Sequence, residues 1–161
     1  MRKKSLQITS KSVYPSNNTR HEEGFPIIRQ QKDNDCGPTA LLMIARFYGM
    51  ACTYEHICQE CHITSEGVSL WSLQCCAQKL GFDTMTIRCS VHDIINLITL
   101  PAILYYQERK HYAVVHDFDD GRIQIADPAI GMKELSTDEF CADWYSCSEE
   151  TGILLALCPL P

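Results

Sequence analysis

Gln30 to Tyr48 reads Gln-Gln-Lys-Asp-Asn-Asp-Cys-Gly-Pro-Thr-Ala-Leu-Leu-Met-Ile-Ala-Arg-Phe-Tyr, a polar loop that runs through one cysteine, Cys36, straight into an amphipathic helix. A thiol at a helix start meets unsatisfied backbone N–H groups and the positive end of the helix dipole, both of which favour the thiolate. Leu41, Ile44, Ala45 and Tyr48 fall at i, i+3, i+4 and i+7, which predicts one buried stripe, and Gly49 supplies a stop signal. Pro38 suits the first turn, where its missing N–H has no partner to lose. Free cysteines are commonly small buried hydrophobes, but the polar neighbours Asp33, Asn34 and Asp35 argue against burial of this one.

A nucleophile needs a base, and the base needs an orienting group. His111 to Phe118 and Arg122 to Asp127 are short runs rich in β-branched and aromatic residues, separated by Asp119-Asp120-Gly121, a strong hairpin signal. Folding about that turn is expected to bring His111 opposite Asp127, give or take a residue, with Cβ atoms about 4.5–5.5 Å apart. A bulge would shift the pairing by one and turn a side chain to the other face. Pro128 ends the strand just after Asp127. His116, five residues from His111, is expected on the opposite face. His92 follows a candidate N-cap, Ser90, and His21, His56 and His62 have no nearby strand partner, so these four, like His116, read as surface or packing residues.

Acyl transfer also requires donors aimed at an oxyanion. The Cys36 N–H is one. A side-chain amide from Gln30, Gln31 or Asn34 is a candidate for the other, and spacing does not choose among them.

Together these residues resemble the double-glycine leader cysteine peptidases that process bacteriocins, the peptidase domains found at the N-terminus of peptidase-containing ABC transporters. Gln30, then Asp35-Cys36-Gly37-Pro38, Leu42-Met43-Ile44-Ala45 and Tyr48-Gly49 resemble the nucleophile motif. His111-Tyr112-Ala113-Val114-Val115 resembles the histidine strand, and Ile125-Ala126-Asp127-Pro128 with Ala129-Ile130-Gly131 the Asp-Pro motif. Glu66-Gly67-Val68-Ser69-Leu70, with Ala77, Lys79, Leu80 and Gly81-Phe82, is similar to the stretch between them. The resemblance runs from about Phe25 to Cys158 and implies a papain-like α+β fold, a helical lobe packed on a mostly antiparallel sheet. It implies a triad of Cys36, His111 and Asp127, and among the amides it favours Gln30. It implies as substrate a precursor peptide whose leader ends in Gly-Gly or Gly-Ala, and as partner the membrane and nucleotide-binding domains of an ABC transporter, in cis or in trans. The expected place is the cytoplasm, at the inner face of the cell membrane. No triad position departs from the family pattern, unlike members that lost the cysteine and only bind cargo. A leader-binding module without activity and another papain-like thiol amidase or transferase are the alternatives, since fold does not fix function.

Length and composition fit. With 161 residues the chain is read as one domain over 25–161, preceded by a polar, aperiodic, flexible arm over 1–24. Ten cysteines suggest a disulfide framework, but Met1-Arg2-Lys3-Lys4 leads into polar residues with no apolar signal core, which favours free thiols in a reducing compartment. Cys58, Cys61, His62, Cys75 and Cys76 loosely imitate a zinc site and read better as helix packing residues, so no cofactor or metal is expected. A net charge of −6 without a basic stripe argues against nucleic acid. The remaining pattern predicts helices near Tyr54–Cys61, Leu70–Leu80, Ser90–Asp93 and Asp138–Asp143. It predicts strands at Phe82–Arg88, Pro101–Gln107 and Ile153–Cys158 beside the hairpin. Helices first and strands later is an α+β layout.

Overall fold

The computed structural model describes residues 24–146 and 149–161. The expected arm, apart from Gly24, and His21 with it lie outside the described residues.

Three helices come first: α1 (Cys36–Phe47), α2 (Tyr54–Cys61) and α3 (Leu70–Lys79). Then follow β1 (Phe82–Cys89), α4 (Val91–Leu97), β2 (Ala102–Tyr106), β3 (His111–Asp119), β4 (Arg122–Asp127), β5 (Gly131–Ser136), α5 (Thr137–Trp144) and β6 (Gly152–Pro159). The strands form one six-stranded sheet in the order β1-β6-β2-β3-β4-β5, and every neighbouring pair is antiparallel. This is the expected α+β layout. Side-chain caps explain several helix starts: Thr53, Ser69, Ser90 and Ser136 each accept a hydrogen bond from a first-turn N–H, with reciprocal capping boxes at Ser90/Asp93 and Ser136/Glu139.

Alternation along the strands divides the core in two. Ile103, Tyr112, Val114, Ala126 and Leu155 face α1–α3, while Ala102, Leu104, Ala113, Val115, Ile125 and Leu154 face α4 and α5, where Phe140 and Trp144 are buried. The sheet is thus covered on both faces. Two sequence expectations change here. Helix α1 is buried at every position from Cys36 through Ala45 instead of along one stripe, because the sheet and the two other helices of its layer enclose it. Strand β5 was not foreseen: Gly131-Met132-Lys133-Glu134-Leu135-Ser136 has no β-branched or aromatic residue, and its edge position is supported by β4, with Glu134 taking hydrogen bonds from Arg122 at 2.9 Å and Gln124 at 2.6 Å.

Candidate active site

Strands β3 and β4 leave their tight turn with Asp119 paired to Arg122, and uninterrupted pairing would set Asp127 level with Val114, on the face opposite His111. The ladder instead carries a bulge: Asp117 pairs with Gln124 but Val115 with Ile125, so His116 is the extra residue. Beyond it Val114 pairs with Ala126, which sets Asp127 level with Ala113 and on the same face as His111, two residues further along. The expected directly opposite pairing is therefore corrected to a diagonal one. An imidazole spans a diagonal, and His111 Nε2 lies 2.8 Å from Asp127 Oδ1.

Cys36 reaches this pair because α1 begins against β3. A Cβ on Gly37 would stand 3.1 Å from the Tyr112 ring, so the absent side chain allows the close approach, and the Tyr112 hydroxyl donates to the Val68 carbonyl at 2.8 Å behind it. The Cys36 thiol, at the start of α1, acts on the ring of His111, the residue before Tyr112, in the direction that favours the charged imidazole. With Nε2 engaged by Asp127, Nδ1 is the nitrogen left for sulfur. Burial alone would push His111 down, but the hydrogen bonds with Asp127 and Cys36 outweigh it and hold the imidazole at about 9. Burial would likewise raise Asp127, whose side chain is 3% exposed, yet its carboxyl is held below the usual range by His111, by the Ala129 N–H at 2.9 Å and by Lys133 at 3.8 Å.

The expectation of a solvent-facing sulfur is not met: Cys36 is 6% exposed and its neighbour Asp35 fully buried. Asp35 is buried because its charge is compensated. Its Oδ2 accepts from the Gln31 N–H at 3.1 Å, the Lys32 N–H at 3.2 Å and the Tyr54 hydroxyl. Gln30 is adjacent, its N–H bonded to the Pro128 carbonyl at 2.9 Å and its Nε2 to the Lys32 carbonyl at 2.8 Å. The same loop region therefore touches both the strand end after Asp127 and the helix start at Cys36. Gln31 is exposed, and Asn34 donates at 2.8 Å to the carbonyl of Thr64, which lines an open groove together with Glu66, Gly67, Val68, Tyr105 and Lys110.

Two features were missed in the sequence. One is the buried role of Asp35. The other is Lys133 on the unforeseen β5, 3.8 Å from Asp127 Oδ2 and 3.3 Å from Asp143, which also pairs with Arg109 at 2.8 Å. The Tyr54 hydroxyl that meets Asp35 and the Asp127 and Asp143 carboxylates that meet Lys133 are remote in sequence, so no local pattern marks these contacts. His116 is a packing residue stacked on Phe25, ring centroids 4.5 Å apart, in agreement with its reading.

Comparison with known proteins bears on this geometry. The chain is 31% identical over 133 residues to the lactococcin-G-processing and transport ATP-binding protein LagD of Lactococcus lactis subsp. lactis, covering 80% of this chain but 18% of LagD. It is 30% identical over 115 residues to an uncharacterized protein of Methanothermobacter marburgensis, covering 71% of this chain and 79% of that one. Among solved structures, a double glycine motif protease from an AMS/PCAT transporter, crystallised with the leader peptide, superposes with a TM-score of 0.76 at 23% identity, over 88% of this chain and 96% of that chain. The shared fold is the papain-like one that the sequence led us to expect. Residues 24–150 match the Peptidase C39 family, and the chain belongs to that family of cysteine peptidases.

Proposed function

We propose that the protein is a cysteine endopeptidase that removes double-glycine-type leaders from precursor peptides, with Cys36, His111 and Asp127 as its triad and Gln30 as an oxyanion donor. The observation that carries this reading is the His111 ring, held by Asp127 at 2.8 Å and raised further by Cys36 at the start of α1. An imidazole held at about 9 is charged near neutrality, which suits a thiolate–imidazolium pair.

In the first step the Cys36 sulfur attacks the carbonyl carbon of the residue before the scissile bond. The oxyanion is stabilised by the Cys36 N–H and by the second hydrogen of the Gln30 amide, the first being fixed on Lys32. His111 delivers its proton to the leaving amine as the C–N bond breaks, leaving a thioester. A water then gives a proton to His111 and attacks the thioester, releasing the acid and restoring the thiolate. Asp127 keeps Nε2 protonated throughout, which leaves Nδ1 as the working nitrogen. The groove beside Lys110 is a place for the substrate backbone, and glycine or alanine at the cut site would enter where a larger side chain clashes with the walls.

The transporter names carried by LagD and by the solved protease support an ABC exporter as partner, in cis or in trans, and with it a site at the cytoplasmic face of a membrane. Among the described residues no helix is long and apolar enough to cross a membrane. The test is incubation of wild type and Cys36→Ala with a panel of Gly-Gly and Gly-Ala leader precursors under reducing conditions, read by mass spectrometry. Cleavage after the second small residue by wild type alone is the expected result. An uncut panel with Cys36 still rapidly alkylated points to a different thiol enzyme, and an inert Cys36 to a leader-binding module.

A further inference from the structure

Asp35 occupies the N-cap of α1, yet its side chain makes no capping hydrogen bond. The reason lies in the helix itself. A capping carboxylate bonds the N–H of the second or third helical residue, and the third here is Pro38, which has none. Asp35 turns backwards instead, and all of its bonds converge on Oδ2: the Gln31 and Lys32 N–H groups and the Tyr54 hydroxyl from the first turn of α2. Its Oδ1 is buried with no hydrogen-bond partner among the described residues. Leaving a buried carboxylate oxygen unpaired is costly, so this carboxylate serves something other than optimal capping.

What it orders is the backbone of Lys32, whose carbonyl holds Gln30 Nε2. The path from Tyr54 to the Gln30 amide thus runs through Asp35 to the Lys32 N–H, across the Lys32 Cα, and from the Lys32 carbonyl to Gln30 Nε2. The other end of Gln30 is anchored separately, through its N–H, on Pro128 beside Asp127. We propose that Asp35 and Tyr54 are positioning residues that fix the Gln30 side chain in its oxyanion-donating pose and keep the Asp35 carboxylate away from the α1 N-terminus, where it would oppose the developing oxyanion. The inference rests on the peptidase reading for its catalytic consequence, but the ordering of Gln30 is a property of the folded protein whether or not it cleaves anything.

The test therefore has two independent readouts. In uniformly ¹⁵N-labelled protein the Gln30 side-chain amide, identified by its disappearance in Gln30→Ala, is expected to be rigid by heteronuclear NOE in wild type. It becomes mobile in Asp35→Asn, and partly so in Tyr54→Phe, while the core resonances stay in place. In steady-state cleavage Asp35→Asn lowers kcat by about 10- to 10²-fold with KM within about twofold, the size of effect a misplaced catalytic group produces. In a Gln30→Ala background the same substitution then costs less than about threefold, because the two act through one group. A Gln30 amide equally rigid in Asp35→Asn, or kcat losses that multiply in the double variant, overturns the proposal. Should Asp35→Asn fail to fold, Tyr54→Phe alone and with Gln30→Ala decides by the same criteria. A wild type that cuts no precursor defeats the peptidase reading and leaves the NMR result to decide the positioning claim.

Discussion

His111 Nε2 and Asp127 Oδ1 meet at 2.8 Å across a diagonal of the β3–β4 ladder, and they share a face only because His116 is bulged out between them and the turn. The pair is thus built by a register shift. It is then locked from behind, with the Ala129 N–H on the same Asp127 oxygen and Lys133 near the other.

In the proposed mechanism that contact is expected to set the pH profile. Asp127 is the leading group raising His111 against the downward pull of burial, to about 9. The alkaline limb of kcat/KM is expected near pH 9 in wild type, where His111 loses the proton that the proposed mechanism delivers to the leaving amine. Asp127→Asn removes the charge that supports imidazolium, so the limb moves to lower pH and the maximum falls. Initial rates of leader cleavage from pH 5 to 10 check this, and an unmoved limb would sink the assignment.

The same shift makes stability depend on pH. His111 binds its proton more tightly in the folded protein than at its ordinary value of 6.5, so its stabilisation is complete below pH 6.5 and fades as pH rises through about 9. Asp127, held low, contributes above the usual carboxylate range and loses its contribution as pH falls through its own depressed value. Thermal midpoints are expected to decline between pH 6.5 and 9 more steeply in wild type than in His111→Gln. Parallel curves for the two proteins would contradict it.

Gln30→Ala is expected to lower kcat by about 10²–10³-fold, the effect of one lost oxyanion donor, with little change in KM. Stopped assays over a range of precursor concentrations separate the two constants. A loss confined to KM would assign Gln30 to binding.

Cys36→Ala is expected to abolish cleavage while leaving leader binding in place, because the sulfur contributes little contact area to a bound peptide. Fluorescence anisotropy of a labelled leader measures the second half of that statement. Loss of binding along with cleavage would mean that the thiol supports the fold of the cleft.

Away from the site, Gly152→Ala is expected to destabilise the protein by about 1–3 kcal/mol, the usual penalty for overpacking a closed core. A Cβ there would stand 2.4 Å from the Trp144 ring, whose indole N–H is fixed on the Ile153 carbonyl at 3.2 Å. Denaturant unfolding reads the loss, and an unchanged midpoint would show that Trp144 moves aside freely.

Much of this architecture is written in short stretches of the chain. The helix start at Cys36, the cap at Ser90 and the stop at Gly49 with φ of +70° depend on contacts within a few residues, so local pattern revealed them. The Asp120-Gly121 turn, with φ of +47° and +74°, is equally local. Strand β5 was illegible because its pairing, and not its composition, makes it a strand.

By itself, then, the sequence pointed to the order of the helices and of the strands other than β5, to the cysteine at a helix start and to His111 and Asp127 as candidates, while Gln30 stood out from Gln31 and Asn34 only through the family resemblance. Tertiary structure alone decided which face Asp127 takes and whether the residues beside Cys36 are wet or buried. The bulge residue His116 stacks on Phe25, and Asp35 is drawn inside by Tyr54. Each outcome rests on contacts between segments distant in the chain, and a one-residue change of register reverses the face of a strand side chain without altering any local preference.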